Sequence, residues 1–101
     1  MEWAPLEAAI IRWGEEKGIL ASSDPKTQCL KCVSEIGELA DNIAKGDHDA
    51  AQDDLGDVLV TLILLAKLTD LDLMECLTSA YEVIRRREGK MVNGVFVKHV
   101  V

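Results

Sequence analysis

Two acidic pairs, Glu35/Glu38 in Ser-Glu-Ile-Gly-Glu-Leu and Asp54/Asp57 in Asp-Asp-Leu-Gly-Asp-Val, lie symmetrically about residue 46. That midpoint is a glycine inside the helix-breaking run Lys45-Gly46-Asp47-His48-Asp49. Residues i and i+3 share one face of a helix, so antiparallel helices folded about this turn bring both pairs level. Carboxylates gathered at one height repel each other unless a cation sits among them. All-oxygen ligation suits a hard ion such as Mg²⁺ or Mn²⁺. The chain is therefore expected to fold around a helical hairpin with an acidic crease.

Other helices are predicted on either side of this hairpin. Leu6, Ala9, Ile10 and Trp13 recur at helical spacing from about Pro5 to Lys17, and Gly18 ends that segment. Residues 19–24 are expected as a loop leading to Asp24-Pro25, an N-cap followed by proline at the first helical position. A second helix runs to about Ala44, with Leu30, Val33, Gly37, Leu39, Ala40 and Ile43 expected on or near its inner face. A third spans about Asp49 to Leu68. Asp72 caps a fourth, Leu73 to about Arg87, which Gly89 closes. The tail holds Asn93-Gly94 between apolar flanks, a strong hairpin turn signal. The expected architecture is an all-α four-helix bundle with a short C-terminal extended tail or hairpin, in one domain over residues 1–101.

From Val58 to Ala66 only Thr61 is polar, so the third helix is apolar on every side and needs cover all round. Four modest helices provide little of that cover, and a homodimer or homotetramer is expected. A net charge of −7 argues against tracking the phosphates of DNA or RNA. The run Val58 to Leu68 is far shorter than the roughly 20 residues of a membrane span. Three cysteines and no signal peptide point to a reduced, cytoplasmic setting. Cys29-x-x-Cys32 lies mid-helix rather than at a strand–helix junction, and no second spaced pair completes a zinc site with Cys76, His48 or His99. A di-iron bundle needs Glu-x-x-His pairs, and neither histidine follows a glutamate by three.

The string Gln28-x-x-Lys31-x-x-Ser34-Glu35-x-Gly37-Glu38-Leu39, followed by Asp54-Leu55-Gly56-Asp57-Val58-Leu59, resembles the MazG-like nucleoside triphosphate pyrophosphohydrolases. These all-α enzymes belong to the wider group that includes dimeric dUTPases and dCTP pyrophosphatases. Their pattern is E-E-x-x-E, then E-x-x-D on the next helix. The resemblance implies that Glu35, Glu38, Asp54 and Asp57 ligate Mg²⁺ (or Mn²⁺) and form the catalytic cluster. It also implies attack of metal-activated water on the α-phosphate of a nucleoside triphosphate, releasing monophosphate and pyrophosphate. Two positions depart from the pattern: Ser34 stands where the first Glu is usual, and Asp54 replaces a longer Glu.

Candidate substrate contacts follow from charge and shape. Lys31, one turn before Glu35, and Arg85 and Lys90 of the basic cluster near the end of the fourth helix are candidates for phosphate. Basic residues at a helix C-terminus also serve simply as dipole complements. Trp13 is a candidate to stack on the base, as the family places aromatic residues of the first helix there, or equally to anchor that helix in the bundle. Asn93 is a candidate for phosphate or sugar, although its turn role accounts for it. A non-catalytic helical oligomer that binds metal or nucleotide is the competing reading.

Overall fold

The computed structural model describes residues 1–99. Five helices precede a two-stranded hairpin: α1 (Trp3–Glu16), α2 (Ile19–Ser22), α3 (Pro25–Lys45), α4 (His48–Leu68), α5 (Leu73–Ile84), β1 (Gly89–Val92) and β2 (Val95–Lys98). The fold is all-α in character, as the sequence predicts, and the α3–α4 hairpin is its centre.

Local chemistry sets the boundaries. Asp24 Oδ1 accepts the Thr27 backbone N–H at 2.8 Å, with Pro25 following at the first helical position. Asp47 Oδ1 caps α4 through Ala50 N–H at 3.1 Å, and Asp72 Oδ1 caps α5 through Glu75 N–H at 3.0 Å. Gly46 ends α3 at φ 75°, a left-handed conformation that permits the reversal into α4. Asn93 and Gly94 both take positive φ between β1 and β2, the primed turn that suits strand twist.

Leu64 of α4 is the most buried side chain, at 2% exposure. A Cβ on Gly14 of α1 would lie 2.6 Å from Leu64 Cδ2, so glycine lets the two helices approach there. Truncating Leu64 to Ala removes the contact on which α1 and α4 meet, at a cost of about 2–5 kcal/mol.

Three expectations need correction. Residues 19–22 are a helical turn rather than loop: Gly18 reverses the chain, and Ser22 N–H and Ser23 N–H return to the carbonyls of Gly18 and Ile19. The half-buried Ile19 and Leu20 gain from that turn, Leu20 lying beside Gly14 and Leu64. Next, α5 stops at Ile84, so Arg86 and Arg87 lie beyond it. Finally, the inner face of α3 carries Gln28, Cys32 and Glu35, while Leu30, Val33 and Ile43 are exposed. The helix thus has two faces, and the more polar one meets α4.

The C-terminal third reaches outward. The hairpin packs on no helix among the described residues, and α5 meets only α4. The radius of gyration is 16.2 Å, against about 13 Å for a compact chain of 100 residues. No helix among the described residues is long and apolar enough to cross a membrane.

Candidate functional site

On α3 the spacing Gln28, Cys32, Glu35, Leu39, Asn42 follows alternating steps of four and three, the repeat that keeps one stripe against a facing helix. Its partner stripe on α4 contains Asp54, Val58 and Thr61, all buried. Two hydrogen bonds cross the seam. Asn42 Nδ2–H donates to Asp54 Oδ2 at 2.6 Å, and Gln28 Nε2–H donates to the Thr61 carbonyl at 3.2 Å. The first pair is centred on residue 48 and the second between 44 and 45. The hairpin therefore folds about the expected midpoint.

Glu35 and Asp54 are each 8% exposed. A buried carboxylate needs a counter-charge or a hydrogen-bond donor, and each has one. Lys31 Nζ lies 3.0 Å from Glu35 Oε1, and Asn42 serves Asp54. Lys31 is held above the usual lysine range, first by its hydrogen bond and charge contact with Glu35, and then by the negative charges of Glu38 and Asp57. Three of the four acids thus act on one ammonium, while the fourth is tied to an amide.

A cavity of about 730 Å³ opens beside this seam. Lys31, Glu35 and Asp57 supply its charged lining, Trp13, Val60 and Leu64 its apolar lining, and Gln28 lies among them. Trp13 is 43% exposed, so its ring is open to a bound molecule.

The structure brings together Trp13, Lys31, Glu35 and Asp57, with Glu38 close enough to act on Lys31 and Asp54 one turn nearer the hairpin bend. It does not bring Arg85, Lys90 or Asn93 to this cavity. Arg85 caps α5 and pairs with Glu82 at 3.0 Å, while Lys90 and Asn93 lie in the hairpin. Asn42 enters the site unforeseen, and Gln28, which opens the family-like string, enters it without an assigned role. The available signal was heptad spacing, since Gln28 and Asn42 each stand seven residues from Glu35.

Oxygen donors from two facing helices, two of them buried, are chemically suited to a hard divalent ion. In the present arrangement Lys31 gives Glu35 a counter-charge and the Asn42 amide gives Asp54 a hydrogen-bond donor. No group of three or more His, Cys, Asp and Glu side chains among the described residues is set to hold an ion together. The donor chemistry fits such an ion, and Glu35 and Asp54 have protein partners in its place.

The family model described as MazG nucleotide pyrophosphohydrolase domain matches residues 23–92. A relative from Haemophilus phage HP1 (strain HP1c1), an uncharacterized 18.2 kDa protein in the rep-hol intergenic region, is 35% identical over 63 residues. That alignment covers 62% of this chain and 39% of the phage protein, so the matched segment spans well under half of the relative's length. No solved structure matches the chain.

Proposed function

The chain belongs to the MazG nucleotide pyrophosphohydrolase family, and from that premise we propose that it hydrolyses nucleoside or deoxynucleoside triphosphates to the monophosphate and pyrophosphate. Family members of this kind are generally dependent on a divalent metal, and Mg²⁺ is the ion proposed here, with Mn²⁺ as an alternative. The observation that carries the reading is Lys31. Its ammonium is drawn on by Glu35, Glu38 and Asp57 at the edge of a cavity that Trp13 also lines.

Glu35, Glu38, Asp54 and Asp57 would hold the ion. When bound, a divalent ion neutralises phosphate charge and makes water more acidic. Lys31, whose side chain is 59% exposed, can turn from Glu35 to an incoming phosphate oxygen. Asn42 holds Asp54 by one oxygen and fixes the direction of the other. Trp13 offers a flat face for the base. Water adds to the α-phosphorus, the bond to the bridging oxygen of the β-phosphate breaks, and pyrophosphate leaves with that oxygen.

Self-association belongs to the same proposal. Leu30, Val33 and Ile43 on α3, with Leu77, Tyr81 and Ile84 on α5, are all at least half exposed. Apolar surface on that scale is suited to a second copy. A cytoplasmic setting with three free thiols is also proposed.

A non-catalytic helical oligomer is the second reading. It is favoured by Ser34 at the usual first-acid position. Incubating the common nucleotides with the protein and Mg²⁺, then identifying products, separates the two. Monophosphate and pyrophosphate support hydrolysis at the α-phosphate. Release of inorganic phosphate alone, or no turnover, contradicts it.

A further inference from the structure

Gln28 is 6% exposed, yet it lines the cavity that Lys31, Glu35 and Trp13 share. A buried amide needs partners for both its donor and acceptor atoms. Its nitrogen has one, the Thr61 carbonyl at 3.2 Å. That contact also fixes which way the amide faces, because a carbonyl cannot donate to Oε1. Oε1 accepts no hydrogen bond among the described residues. Nor is it sealed from solvent, since the only fully inaccessible unpartnered side-chain polar atom among them is Trp3 Nε1. Gln28 therefore lines the cavity with an oriented acceptor that is not fully enclosed and has no partner among the described residues.

Its position along α3 says what would complete it. Gln28, Lys31 and Glu35 share one face, and Gln28 lies about 10 Å along the axis from Glu35. The charged groups are suited to phosphates and the ring of Trp13 to the face of a base. A group beside them offering a free acceptor and one spare N–H matches the edge of a nucleobase, where donors and acceptors alternate.

We propose that Gln28, oriented by the Thr61 carbonyl, is the residue that reads the base. Its Oε1 accepts an N–H from the base edge, so the contact distinguishes a nucleotide from a bare polyphosphate and an unmethylated base from one whose edge N–H groups are blocked. This assignment rests on the nucleotide-hydrolysis reading for its ligand. It adds to that reading a base-binding residue and the chemical feature it recognises.

The test compares Kd values by calorimetry for α,β-methylene nucleoside triphosphates, which resist cleavage at the α–β bridge, and for inorganic tripolyphosphate. In Gln28→Met, of nearly equal length, the native preference for the nucleotide over tripolyphosphate should fall about tenfold or more, because the base N–H loses its acceptor. A purely structural role would weaken both ligands together and leave the ratio unchanged, which would overturn the assignment. A second measurement needs no variant: the native protein should lose a similar factor when the edge N–H groups of the base are methylated. Equal binding of methylated and unmethylated bases would overturn it as well. A native protein that binds nucleotides without hydrolysing them refutes the hydrolase reading and leaves Gln28 open to the same test. One that binds no nucleotide refutes both.

Discussion

Asn42 on α3 donates its Nδ2–H to Asp54 Oδ2 on α4 across 2.6 Å, joining a half-buried amide to a carboxylate that is 8% exposed. The bond leaves the other oxygen of Asp54 free to act. Replacing Asn42 with Ala should leave a buried carboxylate without its donor and cost about 1–3 kcal/mol in thermal or urea unfolding without metal. Added Mg²⁺ should stabilise the variant by more than it stabilises the native protein, since an ion can supply the missing partner. Equal unfolding curves for the two proteins without metal would show that the bond contributes nothing.

Lys31 competes with a metal for the same acids. Its ammonium lies 3.0 Å from Glu35 and is also drawn on by Glu38 and Asp57. Lys31→Met should therefore bind Mg²⁺ more tightly in the absence of nucleotide, because the acids lose their compensating charge. The same variant should bind triphosphate more weakly. Calorimetric titration with Mg²⁺ and, separately, with tripolyphosphate checks both directions. A fall in Mg²⁺ affinity would show that Lys31 supports rather than opposes the ion.

The open apolar faces predict self-association. Light scattering at micromolar concentration should give at least twice the mass of the 11.1 kDa chain. Charges placed on α5 by Leu77→Glu and Tyr81→Glu should lower that mass. A monomer in the native protein would leave α5 and the hairpin without their proposed cover.

The cap on α3 gives a pH prediction. Hydrogen bonds from the Thr27 backbone N–H, then from its hydroxyl, hold Asp24 below the usual carboxylate range. A depressed folded-state value means the stabilisation is complete above the unfolded value, near 3.8, and is lost as pH falls through the folded one. Asn caps a helix about as well as Asp but carries no charge. The native protein should thus be more stable than Asp24→Asn at neutral pH, and the gap should close in acid. A gap independent of pH would contradict this.

Much of this arrangement can be read from the sequence, because it rests on local chemistry. Asp24-Pro25, Gly46, Asp72 and Asn93-Gly94 each mark a boundary through a cap or a left-handed backbone, and each appears where expected. The acidic pairs reveal the hairpin because symmetry about one turn is a property of spacing alone. The inner face of α3 is harder to read. Leu30, Val33 and Ile43 follow helical periodicity, but nothing among the described residues covers them, and the face with Gln28, Cys32, Glu35 and Asn42 packs on α4 instead. Periodicity finds stripes and cannot say which one stays inside the chain. The turn at residues 19–22 is also hidden, since it rests on Leu20 lying beside Gly14 rather than on a repeat.

The account stands most directly on Asp57, which lines the cavity and acts on Lys31 from the helix opposite Glu35. The decisive measurement is steady-state hydrolysis of dCTP, dUTP and the other common nucleotides at saturating Mg²⁺ by the native protein and Asp57→Asn. The native protein should release pyrophosphate. The variant should lose activity by about a hundredfold or more, as expected when a metal-site group is removed, while its thermal unfolding without Mg²⁺ is unchanged or shifted upward because one repulsive charge is gone. Turnover by Asp57→Asn close to that of the native protein would contradict the proposed carboxylate site.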